Sequence, residues 1–183
     1  MACAITDGYK QQNCPLPTPG AYQTFYIANF AEIAGWTGSG TDNEFEAISF
    51  SPGKGLYKYQ VQRDSVIIRS EKQEEENGAI NYTHEITLKV LDMGIEASNR
   101  IDELNGVAVV AIGRTKADTF EIVGKDNGAR LAVNVRSTES ADLGHLVTIR
   151  AINQPSLPKH FFDTDVVTTI QTQGGVCAIT SGM

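Results

Sequence analysis

The chain has 183 residues, 41% of them hydrophobic and 20% charged, with 22 acidic against 15 basic side chains and a net charge of −7. That length fits one domain able to bury roughly 70% of its unfolded surface, and no apolar run approaches the roughly 20 residues of a membrane-spanning helix. The acidic balance, with no basic patch or stripe along the sequence, argues against sequence-specific DNA binding.

Residues 1–20, MACAITDGYKQQNCPLPTPG, lack a basic region followed by an apolar core, so they do not read as a secretory signal and the chain reads as made in a cytoplasm. Their Pro- and Gly-rich end marks them as an N-terminal arm. Cys3, Cys14 and Cys177 lie near the two ends, without the short spacing or nearby histidines of a zinc site. They read as free thiols in a reducing compartment. The aromatic, β-branched run AYQTFYIANF (21–30) predicts a first strand. AGWTGSGT reads as a glycine-rich loop holding Trp36, the sole tryptophan, which could pack or serve as a binding platform. Ser51 to Gly55 reads as a loop, and GLYKYQVQ (55–62) as a strand alternating Tyr57, Tyr59 and Val61 with polar residues.

Residues 65–91 predict one long hairpin. SVIIRSEKQ is rich in β-branched residues, and after Glu74, Glu75 and Glu76 the pair Asn77-Gly78 favours a two-residue type I′ turn. Ile80, Tyr82, His84, Ile86, Leu88 and Val90 then alternate with polar residues, the signature of a strand with one buried face. Such a strand is about 40 Å long, as long as a compact domain of this size is wide, so the hairpin spans the domain or protrudes from it. Met93, Ala97, Ile101 and Leu104 share one helical face and Asn105-Gly106 supplies a stop, predicting a helix over 93–105. The unbroken apolar run GVAVVAIG (106–113) predicts a strand covered on both faces. TFEIVG and ARLAVNV flank the stretch VGKDNGARL, and HLVTIRAIN (145–153) closes the core. From Gln154 onward Pro155, Pro158 and the short β-prone run DVVTTIQTQ read as a C-terminal arm, residues 154–183. The fold class is therefore mainly β: a sandwich or barrel over 21–153 with one flanking helix, a long hairpin and terminal arms.

VGKDNGARL fails as a phosphate loop because a strand, not a helix, follows it. It fails as an EF-hand because the twelfth position from Asp126 is Ser137 rather than a glutamate. Lys125, Asp126, Asn127 and Gly128 instead read as a hairpin turn. His84 falls on the apolar face of its strand and reads as a packed core histidine; His145 and His160 have no recognisable nucleophile beside them. No catalytic, cofactor-binding or metal-ligating set emerges, so the chain reads as non-enzymatic and without a cofactor.

The order strand, helix, buried strand and hairpin across residues 85–133 resembles a phage tail tube protein. So do the opening Met1-Ala2-Cys3, the second cysteine Cys14 before the aromatic strand with Tyr26, and Gly124-Lys125-Asp126-Asn127-Gly128. The resemblance covers residues 1–153; the Pro-rich segment 15–20 and the tail after 154 depart from it. It implies a virion structural protein, made in the host bacterial cytoplasm, whose subunits close into a homo-oligomeric, hexameric ring with strands of neighbours forming an inner barrel. Rings would stack into a tail tube, meet other tail or connector proteins, contact no membrane, and let double-stranded DNA pass without sequence recognition. Glu74, Glu75, Glu76, Asn77 and Gly78 then become an assembly tip, serving channel repulsion or ring-to-ring contact. A single head–tail connector ring, a capsid decoration protein, or a ligand-binding β-sandwich built around Trp36 are the alternative readings.

Overall fold

The computed structural model describes residues 21–38, 44–60, 66–76, 78–90, 94–115, 120–139 and 144–161. In chain order these form β1 (Ala21–Asn29), a 3-10 turn (Phe30–Glu32), β2 (Ile33–Gly38), β3 (Glu44–Phe50), β4 (Tyr57–Gln60), β5 (Ile67–Glu74) and β6 (Ile80–Val90). There follow α1 (Ile95–Asp102), β7 (Val109–Thr115), β8 (Phe120–Val123), β9 (Arg130–Ser137), β10 (Gly144–Gln154) and β11 (Lys159–Phe161). The described residues are mainly β with one short α-helix, as the alternation patterns predict.

The strands make two sheets. A large one runs β2-β3-β11-β8-β7-β1-β4 and a small one runs β5-β6-β10-β9. Every pairing in the small sheet is antiparallel. In the large sheet β11 runs parallel to β3 and antiparallel to β8. Neither sheet closes on itself among the described residues: β2 and β4 end the large one, β5 and β9 the small one.

One apolar layer lies between the sheets. Phe25, Ile27, Val109, Ala111 and Val123 of the large sheet meet Ile86, Leu88, Val147 and Ile149 of the small one, with Ile101 and Leu104 from the helical segment. A second layer covers the opposite face of the large sheet, where Tyr26, Ala28, Val110, Ile112 and Ile122 pack with Ile48 and Leu56. Alternate residues of β7 therefore enter different cores, which explains its unbroken apolar run. Each such side chain, fully buried, contributes about 1.5–3 kcal/mol. Among the described residues the small sheet has apolar cover on one face only, and β6 alternates accordingly: His84, Ile86 and Leu88 are buried toward the core, while Asn81, Thr83 and Glu85 lie on the other side, Thr83 buried there among its neighbours in the sheet.

Several expectations need correction. The helix spans Ile95–Asp102, shorter than 93–105; Ile101 and Leu104 are buried as the spacing predicts, and Gly106 takes a positive φ of 76° just beyond. Trp36 lies in a strand, β2, which pairs with β3. Residues 159–161, placed from sequence in the C-terminal arm, form β11 inside the large sheet. They escape a sequence reading because three residues are too few to show a period. The arms at 1–20 and 162–183, with the run DVVTTIQTQ, lie outside the described residues. The stretch 124–128 is not a hairpin turn: β8 pairs with β7 and β11, whereas β9 pairs with β10, so the chain changes sheets there.

Candidate assembly surface

The β5–β6 hairpin supplies the most exposed of the predicted site residues. β6 pairs with β10 only from Tyr82 to Val90, but with β5 from Ile80 to Thr87. The end of the hairpin thus overhangs its neighbour. Its reversal is closed by Gly78 N–H donating to Glu75 O at 2.8 Å and Glu75 N–H donating to Ala79 O at 2.9 Å. Three residues separate Glu75 from Ala79, so the reversal is longer than the expected two-residue type I′ turn. Gly78 meets that need with φ +80°, in open space. Asn77, the remaining residue of the expected tip, lies outside the described residues. Glu74, Glu75 and Glu76 are all exposed. Lys72 Nζ stands 4.0 Å from Glu74 Oε2, and Asn81 Nδ2 donates to Glu75 Oε1 at 2.7 Å.

Lys125, Asp126, Asn127 and Gly128 sit at the same end of the small sheet but at its opposite edge, where β9 begins. Gly128 N–H donates to Gly124 O at 2.9 Å, and Ala129 exchanges both backbone hydrogen bonds with Val109, at 2.7 and 2.8 Å. Asn127 Nδ2 donates to the carbonyls of Ile152 and Asn153, at 3.3 and 3.1 Å, and so fastens the end of β10. Lys125 Nζ lies 3.1 Å from Asp126 Oδ1 and 4.7 Å from the centroid of the Phe45 ring. Gly124 has φ +86°, and a Cβ there would stand 2.6 Å from Ala129 N. The turn is a staple between the two sheets.

Between tip and turn stretches the open face of the small sheet. It carries exposed apolar side chains, Ile67, Val135 and Leu146, at 60, 51 and 43% exposure. Sequence reasoning missed these; the only signal was an apolar residue on the polar side of each alternation. Arg69 pairs with Glu71 and Arg150 with Glu85, so two of the cations on this face are offset by carboxylates. A shallow hollow of about 350 Å³ lies over Glu71, Gln73, Thr83, Glu85 and Arg150.

The remaining candidates are structural. His84 is buried, and its Nε2 hydrogen-bonds Ser156 O at 2.8 Å; burial lowers its pKa, opposed by that bond and by Asp126. Trp36 is half-buried, edge-on to Phe45 with centroids 5.5 Å apart. Among the described residues no group of three or more His, Cys, Asp or Glu could hold a metal ion, and no helix is long and apolar enough to cross a membrane. No protein-family model matches the chain, and neither a curated protein nor a solved structure matches it.

Proposed function

We propose that this chain is a non-enzymatic structural subunit of a phage particle, of the tail-tube type, whose copies close into rings that stack around a channel for the genome. The observation that carries the reading is the small sheet. It has four antiparallel strands, one bare face, and on either side an eight-residue edge strand, β5 or β9, to which no further strand is paired among the described residues. Long open edges invite pairing with another chain, and a ring satisfies them by contacts that close. The resemblance in the order of elements supports the same reading.

The dimensions agree with six copies. Six times four strands, about 4.8 Å apart and tilted about 36° to the axis, give a barrel about 45 Å across its backbone. That leaves room for a double helix with side chains and water around it. The bare face would line the channel, and its paired Arg and Glu side chains suit passage, because a wall of unpaired cations would hold phosphates by counterion release. The protein would act in the virion tail.

Mass photometry and negative-stain microscopy over a concentration series test the proposal. Rings or stacked tubes with a central hole are the expected result. A chain that stays monomeric at every concentration, and also when mixed with a tail-initiation complex, would overturn it.

A further inference from the structure

The tip and the staple stand at one end of the small sheet on opposite edges, three strands apart, and their charges are opposite in balance. β5 and its tip carry Arg69 and Lys72 against Glu71, Glu74, Glu75 and Glu76, whereas β9 carries Arg130 and Arg136 and no acid. Arg130 stands across from Arg150, a cation like itself, and like charges directly opposite are destabilising. Arg150 turns to Glu85 instead. A carboxylate approaching the start of β9 from its open side would offset Arg130.

We propose that neighbouring copies join by antiparallel pairing of β5 of one copy with β9 of the next, offset by about four residues, so that the acidic hairpin tip of one rests against Arg130 and the Gly124–Gly128 staple of the other. This rests on the ring reading above and names which strands, which register and which residues meet. Alternating strand directions across the small sheet make β9 and the next copy's β5 antiparallel without any rotation of the subunit.

The offset follows from closure. Within one copy a single row runs Ile67, Thr87, Thr148, Val133 across the four strands. In a closed sheet tilted about 35°, crossing four strands of about 4.8 Å displaces the row by about 13 Å, or about four residues. The right-handed coil of such sheets fixes the sense, bringing Glu71 of the next copy, rather than Ile67, level with Val133. Arg69 then faces Val135, Ser70 faces Asn134 and Ile67 faces Ser137. The two edge strands, each of eight residues, overlap along their whole length.

Side-chain parity agrees. The bond from Glu75 N–H to Ala79 O places the odd-numbered backbone groups of β5 toward β6, leaving those of Ile68, Ser70 and Lys72 for the open edge. Ser70 and Asn134 both point to the core side of the sheet, and Arg69 and Val135 both to the bare side. Below the bulge at Ala132, where the β9–β10 register shifts, Arg130 falls beside Gln73 and Glu74, and Glu75 and Glu76 come up against the staple with Lys125. The acidic tip and the staple thus meet at one boundary between copies.

Cysteine pairs read the register directly. Arg69 and Val135 would form a non-hydrogen-bonded pair with Cα atoms about 4.5 Å apart, within disulfide range, whereas Arg69 and Val133 would be about 7–8 Å apart and out of reach. The chain carrying Arg69→Cys and Val135→Cys, oxidised, should give a ladder of covalent oligomers ending in a closed ring on a denaturing gel. The chain carrying Arg69→Cys and Val133→Cys should stay at the background of the wild type with its own three cysteines. Rings by microscopy without cross-linking of the first pair, or with equal cross-linking of both, would overturn the register and leave the ring reading standing. Absence of both rings and cross-links, in variants whose unfolding transitions match the wild type, would overturn the two together.

Discussion

Two turns in this molecule share the same letters, Asn-Gly beside charged residues, and do different work. Gly78 ends a hairpin whose strands pair with each other, and it has nothing within 4 Å of where a Cβ would be. Asn127-Gly128 joins strands of different sheets, and both glycines around it are crowded: a Cβ on Gly128 would stand 3.0 Å from Ala108 Cβ, one on Gly124 2.6 Å from Ala129 N. Turn chemistry specifies that the chain reverses. What it reverses onto is set by the long-range partner of each flanking strand.

The sharpest way to break the comparison is a methyl group. Gly124→Ala adds left-handed strain to a backbone collision and should lower stability by about 3 kcal/mol. Gly78→Ala, with the same strain and no collision, should lose about 1 kcal/mol. Denaturant midpoints of the two variants measure the difference, and equal losses would show that the staple relaxes freely. Next in size is Asn127→Ala, which removes two hydrogen bonds to the end of β10 and should lose about 1–2 kcal/mol. Hydrogen exchange should speed up at Ile152 and Asn153 before it does elsewhere in β10.

The staple end of the small sheet also carries a pH dependence. His84 is buried beside the chain that leaves β10, and its folded pKa lies below its ordinary value because burial disfavours the charged ring. The unfolded state therefore binds the proton first. Stability is full above about pH 6.5 and declines as pH falls below it, toward the folded pKa. Thermal unfolding between pH 8 and 5 should show this decline, reduced in His84→Gln. A decline of the same size in both proteins would assign it to other groups.

How much of this was legible in the sequence depends on whether an element's burial is decided locally. β6 and β7 were readable because their periods record one buried face and two. β11 was not, since three residues acquire strand character only by filling the gap between β3 and β8. β2 was hidden for a related reason: a glycine-rich run reads as loop, and only its pairing with β3 and the edge contact of Trp36 on Phe45 make it a strand. Of the candidate site, the acidic tip was legible as an exposed reversal. The staple was legible as a turn but not as a link between sheets, because a hairpin and a crossover call on the same residues.

The smallest effect on stability belongs to the tip, and it separates folding from assembly most cleanly. Glu74, Glu75 and Glu76 are exposed, and the contacts of Glu74 with Lys72 and of Glu75 with Asn81 lie on the surface. A surface ion pair such as Lys72–Glu74 contributes about 0–1 kcal/mol, and an exposed hydrogen bond such as Asn81–Glu75 about as little. Changing all three glutamates to lysine should therefore move the unfolding free energy by about 0.5 kcal/mol or less, while placing cations against Arg130 and Lys125 of the next copy. Ring and tube formation should fall sharply, most of all at low salt, where repulsion is least screened. Adding Arg130→Glu to the same chain should recover part of the assembly if tip and staple meet as proposed. If the tip instead only repels DNA in the channel, the triple variant will form normal tubes and fail at genome passage, and Arg130→Glu will recover nothing. One variant thus distinguishes a contact between copies from a lining of the channel, with the folded subunit unchanged in either case.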